Sequence, residues 1–117
     1  MYVKHSHEIP SQPLQVGSGA SKAVLISDQE APNFAMRKFT IQPGGSMPMH
    51  HNLVEHEQYV LSGKALVIIN DIPHAVGAGD VVFIPPEVPH SYRVTGPEDF
   101  VFLCLVPNKS DETVLVK

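Results

Sequence analysis

PGGSMPMHHNLVEHEQYVLSG, residues 43–63, is the stretch on which the fold turns. It opens on a Pro-Gly-Gly turn and passes three histidines, His50, His51 and His56. It then runs into the β-prone segment 57–61 and stops at Ser62-Gly63. A short strand bounded by turn residues on both sides is the grammar of a sheet. The pattern extends outward in both directions. Candidate strands lie at 22–27, 34–42, 57–61, 65–70, 81–84, 91–95 and 99–106. They are separated by Pro32-Asn33, the 43–45 turn, Ser62-Gly63, Asn70-Asp71, the run 77–80, Pro85-Pro86 and Gly96-Pro97. No window longer than a turn or two carries a 3.6-residue apolar period. Many short strands at regular spacing predict an all-β sandwich or barrel.

The chain has 117 residues, enough for one compact domain and too few for two. Apolar residues make up 43% and charged ones 17%, a globular balance that argues against wholesale disorder. The 11 Pro and 8 Gly are spread along the chain, so it turns often. Net charge is -4 and the densest cationic stretch is only Arg37-Lys38, which excludes a nucleic-acid footprint. The longest apolar run, 100–106, is seven residues, against the roughly 20 needed to span a bilayer. MYVKHSHEIP at the N-terminus has no apolar signal core, so a cytoplasmic location is the expectation. A single cysteine, Cys104, rules out an intrachain disulfide framework. The 7 His, almost as many as the 8 Lys and Arg together, are what composition leaves to be explained.

Alternation along 34–42 puts Arg37 on the same face as Phe39 and Ile41, so a barrel interior on that side would contain a cation. Pairing with a rim carboxylate is the plainer expectation. Near the first turn, His50 and Asn52 share a face and His51 takes the other. His90 follows Pro85-Pro86-Glu87-Val88-Pro89 at the head of another strand. Convergence of these groups in a barrel interior would suit a transition metal that favours imidazole.

The spacing resembles the two motifs of the cupin superfamily, small antiparallel jelly-roll barrels. In the first, Gly44 is followed after five residues by His50, and Gly63 closes the motif six residues after His56. His56 thereby stands where the family usually has Glu, and Asn52 stands in the slot of the second His of His-x-His. In the second, Gly79, Pro85 and His90 match, while Glu87 and Val94 depart from the usual Gly and Asn. Within the superfamily the phrases APNF-MR-FT--PGG, EHE-YVL-GK and FLCL-P are similar to small single-domain, RmlC-like cupins with a four-histidine metal site. The resemblance implies a double-stranded β-helix over 22–117, preceded by an arm, 1–21, that could be swapped in a homodimer.

It further implies a divalent transition metal (iron, manganese, zinc, nickel or copper) on His50, His56 and His90. Asn52 has three open readings: a ligand through its amide oxygen, a partner of bound water, or a bystander if a register slip brings His51 inward. Loss of the ion with the lost histidine stands against all three. Arg37, Tyr92, Phe100, Phe102 and Cys104 are the candidates for the pocket wall, although Cys104 reads first as a small core residue. Glu55 and Glu57 point away from His56 by alternation, His5 and His7 lie in the arm, and His74 lies near a turn. Neutral ligands would leave the ion its charge and favour an anionic or chelating small molecule. Dioxygenase-type oxidation is the first expectation, a non-catalytic binding or sensor barrel the alternative, and isomerase or lyase chemistry a further one.

Overall fold

The computed structural model describes residues 1–116. A single 3-10 turn, Ser6–Glu8, precedes ten strands. These are β1 (Gln12–Pro13), β2 (Ser18–Ile26), β3 (Phe34–Asn52), β4 (His56–Ser62), β5 (Lys64–Ile69), β6 (Ile72–Gly77), β7 (Val81–Ile84), β8 (His90–Val94), β9 (Phe100–Pro107) and β10 (Thr113–Leu115). Every pairing is antiparallel, in the order β6-β5-β8-β3-β9-β4-β7, with β2 and β10 also on β3 and β1 on β2.

β3 changes partners along its length within the one ten-stranded sheet. Its first half, Phe34 to Ile41, pairs with β2 and β9; its second half, from Ser46, pairs with β8 and β10. The Pro-Gly-Gly of 43–45, expected to end a strand, instead sits where β3 changes partners. No ladder bond is required there, so a proline without a donor costs nothing. The antiparallel sheet curls into the expected jelly-roll architecture.

Alternation decides the core. β9 points Phe100, Phe102 and Cys104 inward, each at most 2% exposed, and β8 does the same with His90, Tyr92 and Val94. Phe39, Phe102 and Tyr92 form a continuous aromatic stack, with centroids 5.2 and 5.3 Å apart and planes inclined by 13° and 16°. Burying each of these rings stabilises the barrel by roughly 2–3 kcal/mol.

Several elements differ from expectation. Residues 12–21, assigned to an arm, contain β1 and the start of β2, and Leu14 packs against the core. β6 has no apolar signal because it is an edge strand with four exposed residues at its head. It exists because Asn70 and Asp71 adopt φ of 49° and 65°, a two-residue hairpin turn that folds it onto β5. β10 is three residues long and is defined only by its partner, β3. No helix among the described residues is long and apolar enough to cross a membrane.

Candidate functional site

The end of β3, the start of β4 and the start of β8 meet at one place. His50 lies directly opposite His90 in the β3–β8 ladder, with ring centroids 4.2 Å apart, and His56 is 5.5 Å from His90. His50, Asn52, His56 and His90 are all buried, the last at 1% exposure. They line a cavity of about 190 Å³ together with Arg37, Gln58, Tyr92, Phe102 and Cys104.

Hydrogen bonds fix the tautomers of two rings. His50 Nδ1 lies 2.8 Å from Pro48 O, and His90 Nδ1 lies 2.9 Å from Val88 O. A carbonyl oxygen only accepts, so in both rings Nδ1–H donates and Nε2 keeps its lone pair. This is how protein imidazoles are held when Nε2 is to ligate a metal. The third ring is set differently. Asn52 donates its Nδ2 to Asp111 Oδ2 (3.2 Å) and Thr113 Oγ1 (3.0 Å), so its Oδ1 must be the acceptor facing His56 Nε2 at 2.9 Å. His56 Nδ1 is then the free acceptor for the thiol of Cys104, 3.5 Å away. Arg37 Nη2 donates to the same sulphur at 3.1 Å, and Gln58 Nε2 lies 3.6 Å from it while donating to Tyr92 Oη at 2.8 Å. One polar chain thus runs from Arg37 through Cys104, His56 and Asn52 to Asp111.

Burial keeps this chain uncharged apart from its two ends. His56 is pushed down to about 3, first by burial and then by the Arg37 guanidinium. His90 is pushed down to about 4, chiefly by burial, and His50 is lowered for the same reason. Burial raises the Cys104 thiol and the Tyr92 phenol, so both hold their protons at neutral pH.

Arg37, Tyr92, Phe102 and Cys104 line the cavity, whereas Phe100, also a candidate for the wall, lies outside it. Phe100 pairs with Ile41 at the far end of β9 and packs 5.3 Å from Phe102 in the core. No rim carboxylate pairs with Arg37; among the described residues the only ion pair joins Lys4 to Glu30. Cys104 is both buried and cavity-facing. His51 lies on the other face of β3 from Asn52, opposite Val114. His74 is exposed, and His5 and His7 pack against each other at a tilt in the N-terminal turn, with centroids 4.4 Å apart, far along the chain from the cluster.

Leu14, Gln15, Val16, Lys22, Met47, Gln58 and Thr113 also line the cavity and were not anticipated. Gln58 was findable by alternation from His56 along β4. Thr113 and its neighbour Asp111 carry no signal in the sequence, because only folding brings residue 113 beside residue 52.

The donor set suits a divalent transition metal: three buried imidazoles, two with Nε2 free, and an amide oxygen. As the rings stand, no three His, Cys, Asp or Glu side chains among the described residues are grouped to hold an ion. The bond to Asn52 Oδ1 also occupies His56 Nε2, the nitrogen that would have to ligate. A ligand role for His56 requires the Nε2 proton to move to Nδ1, where Cys104 can accept it in a hydrogen bond.

Residues 37–106 match the family described as the cupin domain, Cupin_2. The chain belongs to the cupin family. Its barrel superposes on polyketide cyclase RemF from Streptomyces resistomycificus with a TM-score of 0.92 and 26% identity, over 100% of this cupin and 86% of that chain. A predicted oxalate decarboxylase from Thermotoga maritima gives a TM-score of 0.80 at 25% identity, over 98% and 100%. In sequence, the cupin is 29% identical over 80 residues to 1-methylthio-D-xylulose 5-phosphate methylsulfurylase of Rhodospirillum rubrum, covering 68% of this chain and 51% of that protein. The chain spans about half the length of the curated relatives it matches.

Proposed function

We propose that this cupin is a metal-dependent enzyme that binds a small carbonyl compound as a chelating anion, the enolate or its equivalent. The observation that carries this reading is the cavity of about 190 Å³ that His50, His56 and His90 line together with the stacked rings of Phe39, Phe102 and Tyr92. A divalent ion on those imidazoles would act as a Lewis acid, making a carbonyl compound easier to deprotonate. With Fe or Mn held by His50, His56 and His90 the chemistry supplied would be oxidation by dioxygen; with Zn or Ni it would be proton transfer, cyclisation or bond cleavage.

The remaining residues act without the ion. Phe39, Phe102 and Tyr92 give the cavity an apolar, aromatic lining suited to a planar conjugated anion. Gln58 orients the Tyr92 hydroxyl, leaving its proton to be donated to a guest oxygen. Arg37 places positive charge where the anion's charge develops. Likeness to a polyketide cyclase over the whole length of this chain supports a substrate with several carbonyl groups.

A non-catalytic binding or sensor barrel is the second reading, and Asn52 favours it, because an amide in a ligand position weakens hold on an ion. The experiment is turnover of small diketones, flavonols and catechols with each of the five metals added in turn. Oxygen uptake and product formation are followed beside thermal shift. Turnover with at least one metal, lowered a hundredfold or more in His90→Ala, is the expected result. Ligand-induced thermal shifts with no turnover under any metal would establish the binding barrel instead.

A further inference from the structure

We infer that Lys22 and Arg37 form an oxyanion subsite beside the imidazole cluster, so that the substrate is a small carboxylic acid or phosphate ester whose second oxygen donor faces His56. This deepens the proposed function and rests on it for the role of the imidazoles, though not for the anion itself.

The two cations come from neighbouring strands. Lys22 is opposite Phe39 in the β2–β3 ladder and Val24 is opposite Arg37, so Lys22 and Arg37 are diagonal neighbours on one face. Both line the cavity, and no aspartate or glutamate does. Their only described alternatives are weak. Arg37 gives Nη2 to the neutral sulphur of Cys104, its Nε is buried with no hydrogen-bond partner, and its guanidinium lies 5.0 Å from the centre of the Phe39 ring. Five donors in a planar fork, with one used and one stranded, match the paired oxygens of a carboxylate or phosphate. Among the described residues neither cation is in an ion pair, and the aspartates near Arg37, Asp28 and Asp111, border a separate cavity on its other side. Burial and Arg37 both lower the Lys22 ammonium. An incoming oxyanion removes that repulsion and engages the guanidinium donors that Cys104 leaves free.

Position sets the substrate's length. Arg37 and His56 contact the same sulphur, at 3.1 and 3.5 Å, so the oxyanion subsite and the imidazoles are separated by a single side chain. A guest that reaches both therefore has its anionic group only a few bonds from the chelating oxygen. Compact keto acids, hydroxy acids and short phosphate esters fit this description.

The test is calorimetric titration of the full chain at constant ionic strength with acetate and, separately, inorganic phosphate. Saturable binding of one or both is expected, and the stronger of the two distinguishes a carboxylate from a phosphate substrate. Lys22→Gln and Arg37→Met should each weaken it at least tenfold, while His74→Gln, on the exposed edge strand β6, should leave it within threefold of the original. Lys22 is half-buried, so its variant serves if Arg37→Met does not fold. Absence of binding, or equal affinity in Lys22→Gln and the unaltered chain, overturns the subsite. Loss confined to His90→Ala also overturns it, since the anion then sits on the imidazoles. Binding that depends on Lys22 and Arg37 in a protein with no turnover sustains the subsite while the enzyme reading fails.

Discussion

Asn52 faces two ways. Its oxygen meets His56 Nε2 and its nitrogen is tied to Asp111 and Thr113, so the amide cannot flip without losing three hydrogen bonds. Asp111 in turn accepts from the Leu53 and Glu112 backbone N–H groups at 2.8 Å, which fixes the carboxylate that fixes the amide. A fourth imidazole at this position would remove the acceptor that holds the proton on His56 Nε2. Asn52→His is therefore expected to raise the affinity for zinc at least tenfold, measured by competition with a chromogenic chelator. An unchanged affinity would mean that position 52 lies outside the metal's reach. The inward face of residue 52 was legible from strand alternation and motif spacing. Its anchoring was not, because Asp111 and Thr113 reach it across about 60 residues of chain.

Turns decide most of the elements. Gly63, between β4 and β5, has φ +83°, and a Cβ there would collide with Asp99 O and the Phe100 Cα. Gly79 has φ +91° but open space within 4 Å. Both carry the left-handed penalty of a non-glycine residue, about 1–2 kcal/mol, but only the first adds a backbone clash. Gly63→Ala should cost about 2–4 kcal/mol in urea unfolding and Gly79→Ala about half as much. Equal costs would show that the β4–β5 turn has room to relax. These glycines, like Pro85 and the Asn70-Asp71 pair, were legible because backbone geometry restricts which residues can serve. β6 and β10 were not: each is an edge strand whose existence is decided by its neighbour, and neither needs an apolar face of its own. The continuity of β3 through 43–45 escaped for a related reason, since Pro and Gly mark either a turn or a change of partners, and a one-dimensional reading does not separate the two.

At the scale of the molecule, buried neutral histidines make stability depend on pH. In the metal-free chain His56 and His90 stay unprotonated until about 3 and 4, whereas their unfolded value is 6.5. Between pH 6.5 and 4 the unfolded state binds more protons than the folded one, so stability falls as pH falls. The slope approaches about 1.4 kcal/mol per pH unit for each ring. Glu57 opposes this. Burial and Glu55 push it up to about 7 from 4.5, so its contribution is lost as pH rises through that range. Glu57 is only partly buried, so solvent screens it, and the two deeply buried histidines set the sign. Urea midpoints should fall steadily from pH 7 to 4.5, more steeply in Glu57→Gln and more gently in His90→Gln. A flat profile in the unaltered chain would mean that the three rings are hydrated.

β3 pairs with four strands, β2, β8, β9 and β10, and the last three of these lie far from it in sequence. The bond from Arg37 to Cys104 alone closes a loop of 67 residues. Every half of the cavity is thus assembled by long-range closure, with little local structure to reward the entropy lost on the way. The barrel is accordingly expected to fold in milliseconds to seconds rather than microseconds. The imidazoles then come together only as the barrel closes, so a nascent or partly unfolded chain presents isolated histidines rather than a working pocket.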